Sequence, residues 1–505
     1  MSSLQDTSVL ILGLGDSGLA MARWCSAAGA RVTVADTRAA PPQLAALRAD
    51  CSAATFVHGE FAASLVEGTD IRAVFKSPGL TPAQIAPVLG AAYASGLWVG
   101  GELSLFMRGL EALQASQAYA PQILAITGTN GKTTVTSLTG QLVERAGKTV
   151  AVAGNIGPTL LDTLAALTAA QTLPQVWVLE LSSFQLDGID GFAPTMGTVL
   201  NLTQDHLDWH GDMQAYGAAK ARIFGAHGVD AAPMLLNRDD PLVMAMLPAL
   251  VKGKQQRAYV TFGTDVPTRP GDWGLESVNG MTWLVKALEA DETRRRRKDD
   301  AEELYVQRLM PADALRIRGR HNAANALAAL ALASAAGCLL APMLYGLREY
   351  RGEPHRVEAI GIVSEVEYFD DSKGTNVGAT VAALTGLGAE RKLVLILGGQ
   401  GKGQDFSPLA APVARYARAV VLIGEDADGI AKALEGSHVA CLRAASMQEA
   451  VQLASSRAHA GDAVLMSPAC ASFDMFKNYG HRAEVFRAAV AELAHSAGML
   501  MGQLA

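Results

Sequence analysis

What the chain lacks narrows the field first. Its five cysteines (Cys25, Cys51, Cys338, Cys441, Cys470) are scattered through 505 residues, and no CxxC spacing joins any two of them. That usage fits neither a zinc site nor a disulfide framework, and it suits a reducing, cytoplasmic setting. Aromatic residues make up only 6% and charged residues 18%. A net charge of −7 argues against nucleic acid or an anionic membrane as partner. The opening Met1-Ser2-Ser3-Leu4-Gln5-Asp6 has no basic-then-apolar layout, so no leader peptide is expected. No apolar run long enough to span a bilayer is free of Gly, Pro or charge; residues 323–340 come closest and read as a packed helix.

What is present suits well-buried α/β layers. The chain is 50% hydrophobic and too long for one core, so roughly two to four domains are expected. Ser8-Val9-Leu10-Ile11-Leu12 is an apolar strand running into Gly13-Leu14-Gly15-Asp16-Ser17-Gly18 and a helix. A second strand ends at Asp36, about 20 residues on. That is a dinucleotide-type fingerprint, which fits NAD, FAD or any nucleotide diphosphate resting on the helix N-terminus. A close-packed glycine turn without ligand is the plainer alternative. Another strand at this edge runs into Ser77-Pro78-Gly79. The first domain is placed at residues 1–115.

The second domain, 116–352, opens on Ile123-Leu124-Ala125-Ile126 and Gly128-Thr129-Asn130-Gly131, followed by Lys132-Thr133-Thr134 and a helical run. Strand, glycine loop and helix make a phosphate-binding loop: backbone N–H groups and the helix dipole meet a polyphosphate. Lys132 can neutralise phosphate oxygens, and the Thr133 hydroxyl stands where such loops hold Mg²⁺. The general pattern has glycine where this chain has Ile126, so the loop is a shortened variant. Glu180 closes a strand, the usual place for a second Mg²⁺ partner. A strand is expected over residues 198–202, and His206 just beyond it is a candidate for metal or phosphate contact. Lys220 reads as a solvated helical lysine. Residues 264–316 form a β-rich excursion whose basic run, Thr293 to Asp300, reads as a solvated surface. Asn322 and Asn325, spaced i,i+3, are expected to face one ligand.

Residues 353–505 read as a third α/β domain. Four strands end in polar or glycine turns, which implies a parallel sheet with one ligand edge. Cys470 is expected to be a packed thiol.

Taken together, Gly128 through Thr134, Gly154-Asn155-Ile156-Gly157, Glu180, His206, His321-Asn322-Ala323-Ala324-Asn325 and His355-Arg356 resemble the ATP-dependent Mur ligase family. Two further stretches, Asp371 to Asn376 and Ser467 to Asp474, resemble its D-glutamate-adding members. The resemblance implies three α/β domains: Rossmann-like, then P-loop ATPase-like with a parallel sheet, then Rossmann-like. It implies amide ligation through an acyl phosphate, with UDP-N-acetylmuramoyl-L-alanine and D-glutamate as substrates, ATP and two Mg²⁺ ions, and a monomer.

The same resemblance implies residue roles. Gly128 to Thr134 hold ATP phosphates, with Lys132, His206 and Lys220 catalytic. Thr133 and Glu180 bind one Mg²⁺; His206 and Lys220, the latter as a carbamate, bind the other. Asn325, Arg356 and Asp371 contact ATP. Ser17, Asp36, Thr37, Arg38, Ser77, Pro78 and Gly79 hold the uridine diphosphate, and Asn155 lies with His206 near the muramoyl-alanine end. Lys373, Thr375, Lys402, Ser472 and Phe473 surround D-glutamate. Gln400 stands where similar enzymes are expected to carry an acid. The rival readings are a folylpolyglutamate-type ligase, a nicotinamide-dependent oxidoreductase and a non-catalytic nucleotide sensor.

Overall fold

The structure, a computed structural model, describes residues 4–225, 231–255, 257–290, 304–389 and 391–498. The basic run Thr293 to Asp300 lies outside the described residues. The chain separates into two compact units, Met1–Phe262 with Ala328–Met343, and Gly263–Leu327 with Leu344–Ala505.

The first unit carries two parallel sheets. One contains β1 (Ser8–Leu12), β2 (Arg31–Asp36), β3 (Thr55–His58), β4 (Ile71–Lys76) and β5 (Trp98–Gly100) in the order β3–β2–β1–β4–β5. The other is built from β6 (Gln122–Thr127), β7 (Val150–Gly154), β8 (Val176–Glu180), β9 (Met196–Val199), β10 (Met234–Asn237) and β11 (Tyr259–Phe262), ordered β11–β10–β9–β6–β8–β7. Central strands such as β1, β6 and β8 are continuous apolar runs because helices cover both faces.

A helix, Glu102–Gln117, joins the two sheets in sequence and in space. Leu103, Phe106, Leu110 and Leu113 are buried in a core that also contains Leu160, Leu164 and Trp177 from the second sheet's layer. Phe106 meets Trp177 edge-on at 5.0 Å. Burying a Phe of this kind stabilises the fold by about 1.5–3 kcal/mol. Gln114 to Gln117, unpatterned in sequence, is the last turn of that helix.

Strand β9 stops at Val199, short of the expected 202. The next residues leave the sheet to brace the neighbouring loop: Leu200 N–H donates to Thr127 O at 2.9 Å, and Thr129 N–H to Asn201 O at 3.0 Å.

The second unit has an antiparallel set, β12 (Trp273–Val278), β13 (Met281–Glu289) and β14 (Leu304–Pro311), which is the expected β-rich excursion. Its other sheet holds β15 (Glu358–Val363), β16 (Val366–Asp370), β17 (Leu393–Gly398), β18 (Ala417–Ile423), β19 (Ala440–Arg443) and β20 (Ala463–Met466), ordered β15–β16–β20–β17–β18–β19. It is parallel as expected except at one edge, where β15 pairs antiparallel with β16 as a hairpin. The parallel strands bring the loops after β16, β17 and β20 to one edge. Among the described residues, no helix is long and apolar enough to cross a membrane.

Candidate active site

In the first unit the loop between β6 and the helix Lys132–Arg145 is held from below. Gly131, with φ +82°, precedes the helix in a left-handed conformation that glycine adopts without a Cβ clash. Asn201 clamps the loop backbone: its Oδ1 accepts from Asn130 N–H at 2.8 Å and its Nδ2 donates to Asn130 O at 3.0 Å. The Thr129 hydroxyl donates to Thr203 O and lies 3.2 Å from the Tyr216 hydroxyl. Lys132 Nζ donates to Gly128 O and Thr129 O, both at 2.9 Å, so its charge sits inside the loop. Asn201, Thr203 and Tyr216 escaped the sequence reading, since a brace from 71 or more residues along the chain leaves no local pattern.

Lys220 is not solvated. It is 1% exposed on the helix Met213–Ala221, and its Nζ donates to Gly128 O at 2.9 Å and Thr127 Oγ1 at 3.3 Å. The Tyr216 ring lies beneath it at 4.7 Å. Burial first, then the Lys132 charge, pushes its pKa well below the ordinary lysine value. Glu180 ends β8, 1% exposed. Its Oε1 accepts from Asn155 Nδ2 at 2.9 Å, while its buried Oε2 has no hydrogen-bond partner among the described residues. His206 takes φ +54° at the start of the turn Leu207–His210. Burial, reinforced by Lys132 and Lys220 against Asp205, lowers its pKa and favours neutral imidazole.

In the first sheet's turn, Gly18 cannot carry a side chain, because a Cβ would meet Gly13 O at 2.0 Å. Asp36 accepts from Leu14 N–H at 2.8 Å and from Arg38 N–H and guanidinium at 2.8–2.9 Å. Burial opposes its ionisation, but the Arg38 bonds and the Leu14 N–H hold its pKa at about 2. Ser77 Oγ donates to Gly13 O at 2.9 Å, which sets Pro78 and Gly79 beside the turn. Thr37 is exposed, and Ser17 lies beside Glu102.

In the second unit, Asp371 follows β16, 5% exposed, and accepts from Ser467 Oγ at 2.6 Å and Val357 N–H at 3.2 Å. Burial drives its pKa to about 7, against the pull of Ser467 and Arg356. Lys373 Nζ lies 3.9 Å over the Tyr479 ring, and Lys402 Nζ lies 5.9 Å from the Phe473 ring. Thr375 N–H donates to Lys373 O, and Ser472 is buried. Tyr479, on another helix, is a further residue that the sequence reading missed. Gln400 is held by its backbone, paired with Ala471 at 2.9 Å in both directions. Arg482 is fully buried and donates to Cys470 O and Ser372 O, stitching the β16 and β20 loops together. Cys470 is the expected packed thiol, pushed up to about 12 by burial.

His355, Glu358 and Asp370 cluster closely enough to suggest a metal. Each is already hydrogen-bonded: His355 Nδ1 to Asp370 at 2.7 Å, Asp370 to Ser372, and Glu358 to His355 N–H and Arg487. The cluster is a brace for the His355-Arg356 turn. Asn325 Nδ2 donates to Asn322 Oδ1 at 3.1 Å, so these two amides share one helix face as their spacing implied.

The donor set beside the phosphate loop suits a hard divalent cation, since an unpartnered buried carboxylate oxygen and a threonine hydroxyl are oxygen ligands.

Comparison with known proteins places this geometry. Residues 7–101 match the Mur ligase MurD-like N-terminal domain, 126–333 the Mur ligase middle domain, and 355–470 the Mur ligase glutamate ligase domain. The chain is 69% identical over 502 residues to a UDP-N-acetylmuramoylalanine–D-glutamate ligase of Albidiferax ferrireducens, covering 99% of this chain and 98% of the relative. It is 59% identical over 509 residues to the protein of that name from Cupriavidus pinatubonensis, covering 98% and 99%. Among solved structures it resembles in fold the MurF ligase of Thermotoga maritima in complex with ADP, with TM-score 0.57 at 14% identity, over 98% of this chain and 100% of that one.

Proposed function

The chain belongs to the Mur ligase family, and on that premise we propose that it is the ATP-dependent ligase that adds D-glutamate to UDP-N-acetylmuramoyl-L-alanine in peptidoglycan precursor synthesis. The observation that carries this is full-length identity with relatives of that name. The match of the first sheet to a MurD-like domain favours a sugar nucleotide over a nicotinamide as its ligand. We take the working enzyme to be a cytoplasmic monomer.

A carboxylate resists attack by an amine because its charge repels the nucleophile and its oxygen leaves poorly. A carboxylate oxygen of the L-alanyl group bonds to the γ-phosphorus of ATP, the bond to the bridging oxygen breaks, and ADP departs. The D-glutamate amine then attacks the acyl carbon. The tetrahedral adduct expels phosphate and loses a proton, leaving the amide. Most of the rate comes from positioning anionic reactants against positive charge.

The residues divide this work. The loop amides from Gly128 to Thr134 and Lys132 hold the phosphates. Burial favours the free amine of Lys220, whose lone pair bonds to the carbon of CO₂ as the nitrogen sheds a proton to give a carbamate. Thr133 and Glu180, with His206 and carbamylated Lys220, would hold two Mg²⁺ ions, which supply charge neutralisation when bound. Asp36, Thr37, Arg38, Ser77, Pro78 and Gly79, with Ser17, are assigned to the uridine diphosphate, and Asn155 to the muramoyl end. In the second unit Asn325, Arg356 and Asp371 are assigned to the nucleotide. Lys373, Thr375, Lys402, Ser472 and Phe473 are assigned to D-glutamate.

Phosphate release measured with ATP and UDP-N-acetylmuramoyl-L-alanine tests the proposal. D-Glutamate should drive turnover and L-glutamate should not; equal turnover with both, or none with either, would refute it.

A further inference from the structure

Glu102 is a carboxylate that the assigned machinery does not use, yet it is only 4% exposed. It opens the helix Glu102–Gln117, and its Oε1 accepts from Leu161 N–H at 3.2 Å. The Leu160 N–H and the Ser17 hydroxyl lie beside it and favour its charged form. Leu160 and Leu161 open the helix Leu160–Ala169, and Ser17 lies in the first turn of the helix Asp16–Ala27. Three helix N-termini therefore converge on one buried carboxylate, and their positive ends offset part of the cost of burying it, which still raises its pKa.

What these helices carry gives the convergence its meaning. Ser17 belongs to the glycine turn assigned to the uridine diphosphate. Leu160 follows closely on the Gly154-to-Gly157 turn, whose Asn155 holds Glu180. A second tie runs alongside, from Arg23 on the first helix to Asp162 on the other at 3.2 Å. A third joins the Trp209 indole N–H to Leu80 O at 3.1 Å, next to Ser77-Pro78-Gly79. Glu102 is the most buried of the side chains that make these ties.

We propose that Glu102 is a positioning residue that fixes the spacing between the diphosphate turn and the Asn155 turn, setting the register for a substrate long enough to touch both. The proposal rests on the ligase reading above. A ligand that reaches both turns gains from its second contact only when their separation matches its own length. A ligand that reaches only the first turn is indifferent to that separation.

The test compares UDP with UDP-N-acetylmuramoyl-L-alanine by calorimetric titration of the wild type, Glu102→Gln and Glu102→Asp. Glutamine keeps one acceptor but turns an NH₂ group toward donors; aspartate keeps the charge but withdraws it by one methylene. In both variants the full substrate should bind about tenfold more weakly, its KM should rise with it, and UDP affinity and the KM for ATP should stay within about twofold. If Glu102→Gln fails to fold, Glu102→Asp is judged by the same titrations. Parallel weakening of UDP and the full substrate, or no change in either, would overturn the proposal. Wild-type turnover with D-glutamate, measured in the same series, judges the ligase reading separately.

Discussion

Lys220 and Asp371 occupy comparable places in the two units, each buried against a loop at the end of a parallel strand, and burial drives them in opposite directions. Lys220 donates to two neutral oxygens, Thr127 Oγ1 and Gly128 O, and is pushed toward the free amine. Asp371 accepts from a hydroxyl and an amide and is pushed to about 7. Asp36 is the contrast within the first unit: as buried as either, but gripped by Arg38, it falls to about 2. The difference teaches that burial alone favours the neutral form of either sign, and that a bonded counter-charge restores the ion.

The largest expected break in that comparison is Lys132→Ala. It should cut ATP-dependent phosphate release about a thousandfold or more. It should also raise the pKa of Lys220, because the Lys132 charge is among the causes holding it down; amine labelling against pH would show this. Near-normal turnover would refute the loop assignment.

Lys220→Ala should lose about a hundredfold in turnover, partly restored by added short-chain carboxylates that replace the carbamate oxygens. Full activity without rescue would remove the carbamate from the account.

Asp371→Asn sharpens the comparison through stability. The folded carboxyl titrates near 7 and the unfolded one at 3.8. The folded state thus binds the proton more tightly, so stability is fully present below pH 3.8 and is lost as pH rises through 7. The variant should flatten that decline, and the gap between the two proteins should open by at most about 4 kcal/mol in urea unfolding of the second unit's transition. A gap independent of pH would contradict the charge argument.

Asp36→Asn should have the smallest effect. Its folded pKa is depressed, so its contribution is present above 3.8 and fades as pH falls toward 2. The loss is about 1 kcal/mol at neutral pH, and it should vanish in acid.

The strand, glycine loop and helix around Lys132 were legible because each has a local signature: an apolar run, a glycine turn, an amphipathic start. The antiparallel edge was not. The β15–β16 hairpin turns at Ser364 and Glu365, both with positive φ, where the usual signal is Asn-Gly. The burial of Lys220 was illegible for a different reason. Its helix reads as ordinary, and only packing against residues 127 and 128 removes its solvent. Asn201 and Tyr216 hold the loop from more than 70 residues away, and no spacing rule links such positions.

The proposed carbamate needs the free amine of Lys220, which burial favours, and isotope labelling reads the carbamate directly. Wild-type protein equilibrated with ¹³C-bicarbonate should show one carbamate carbon resonance that is missing from Lys220→Ala. A spectrum without that resonance, or one that keeps it in the variant, would contradict the claim.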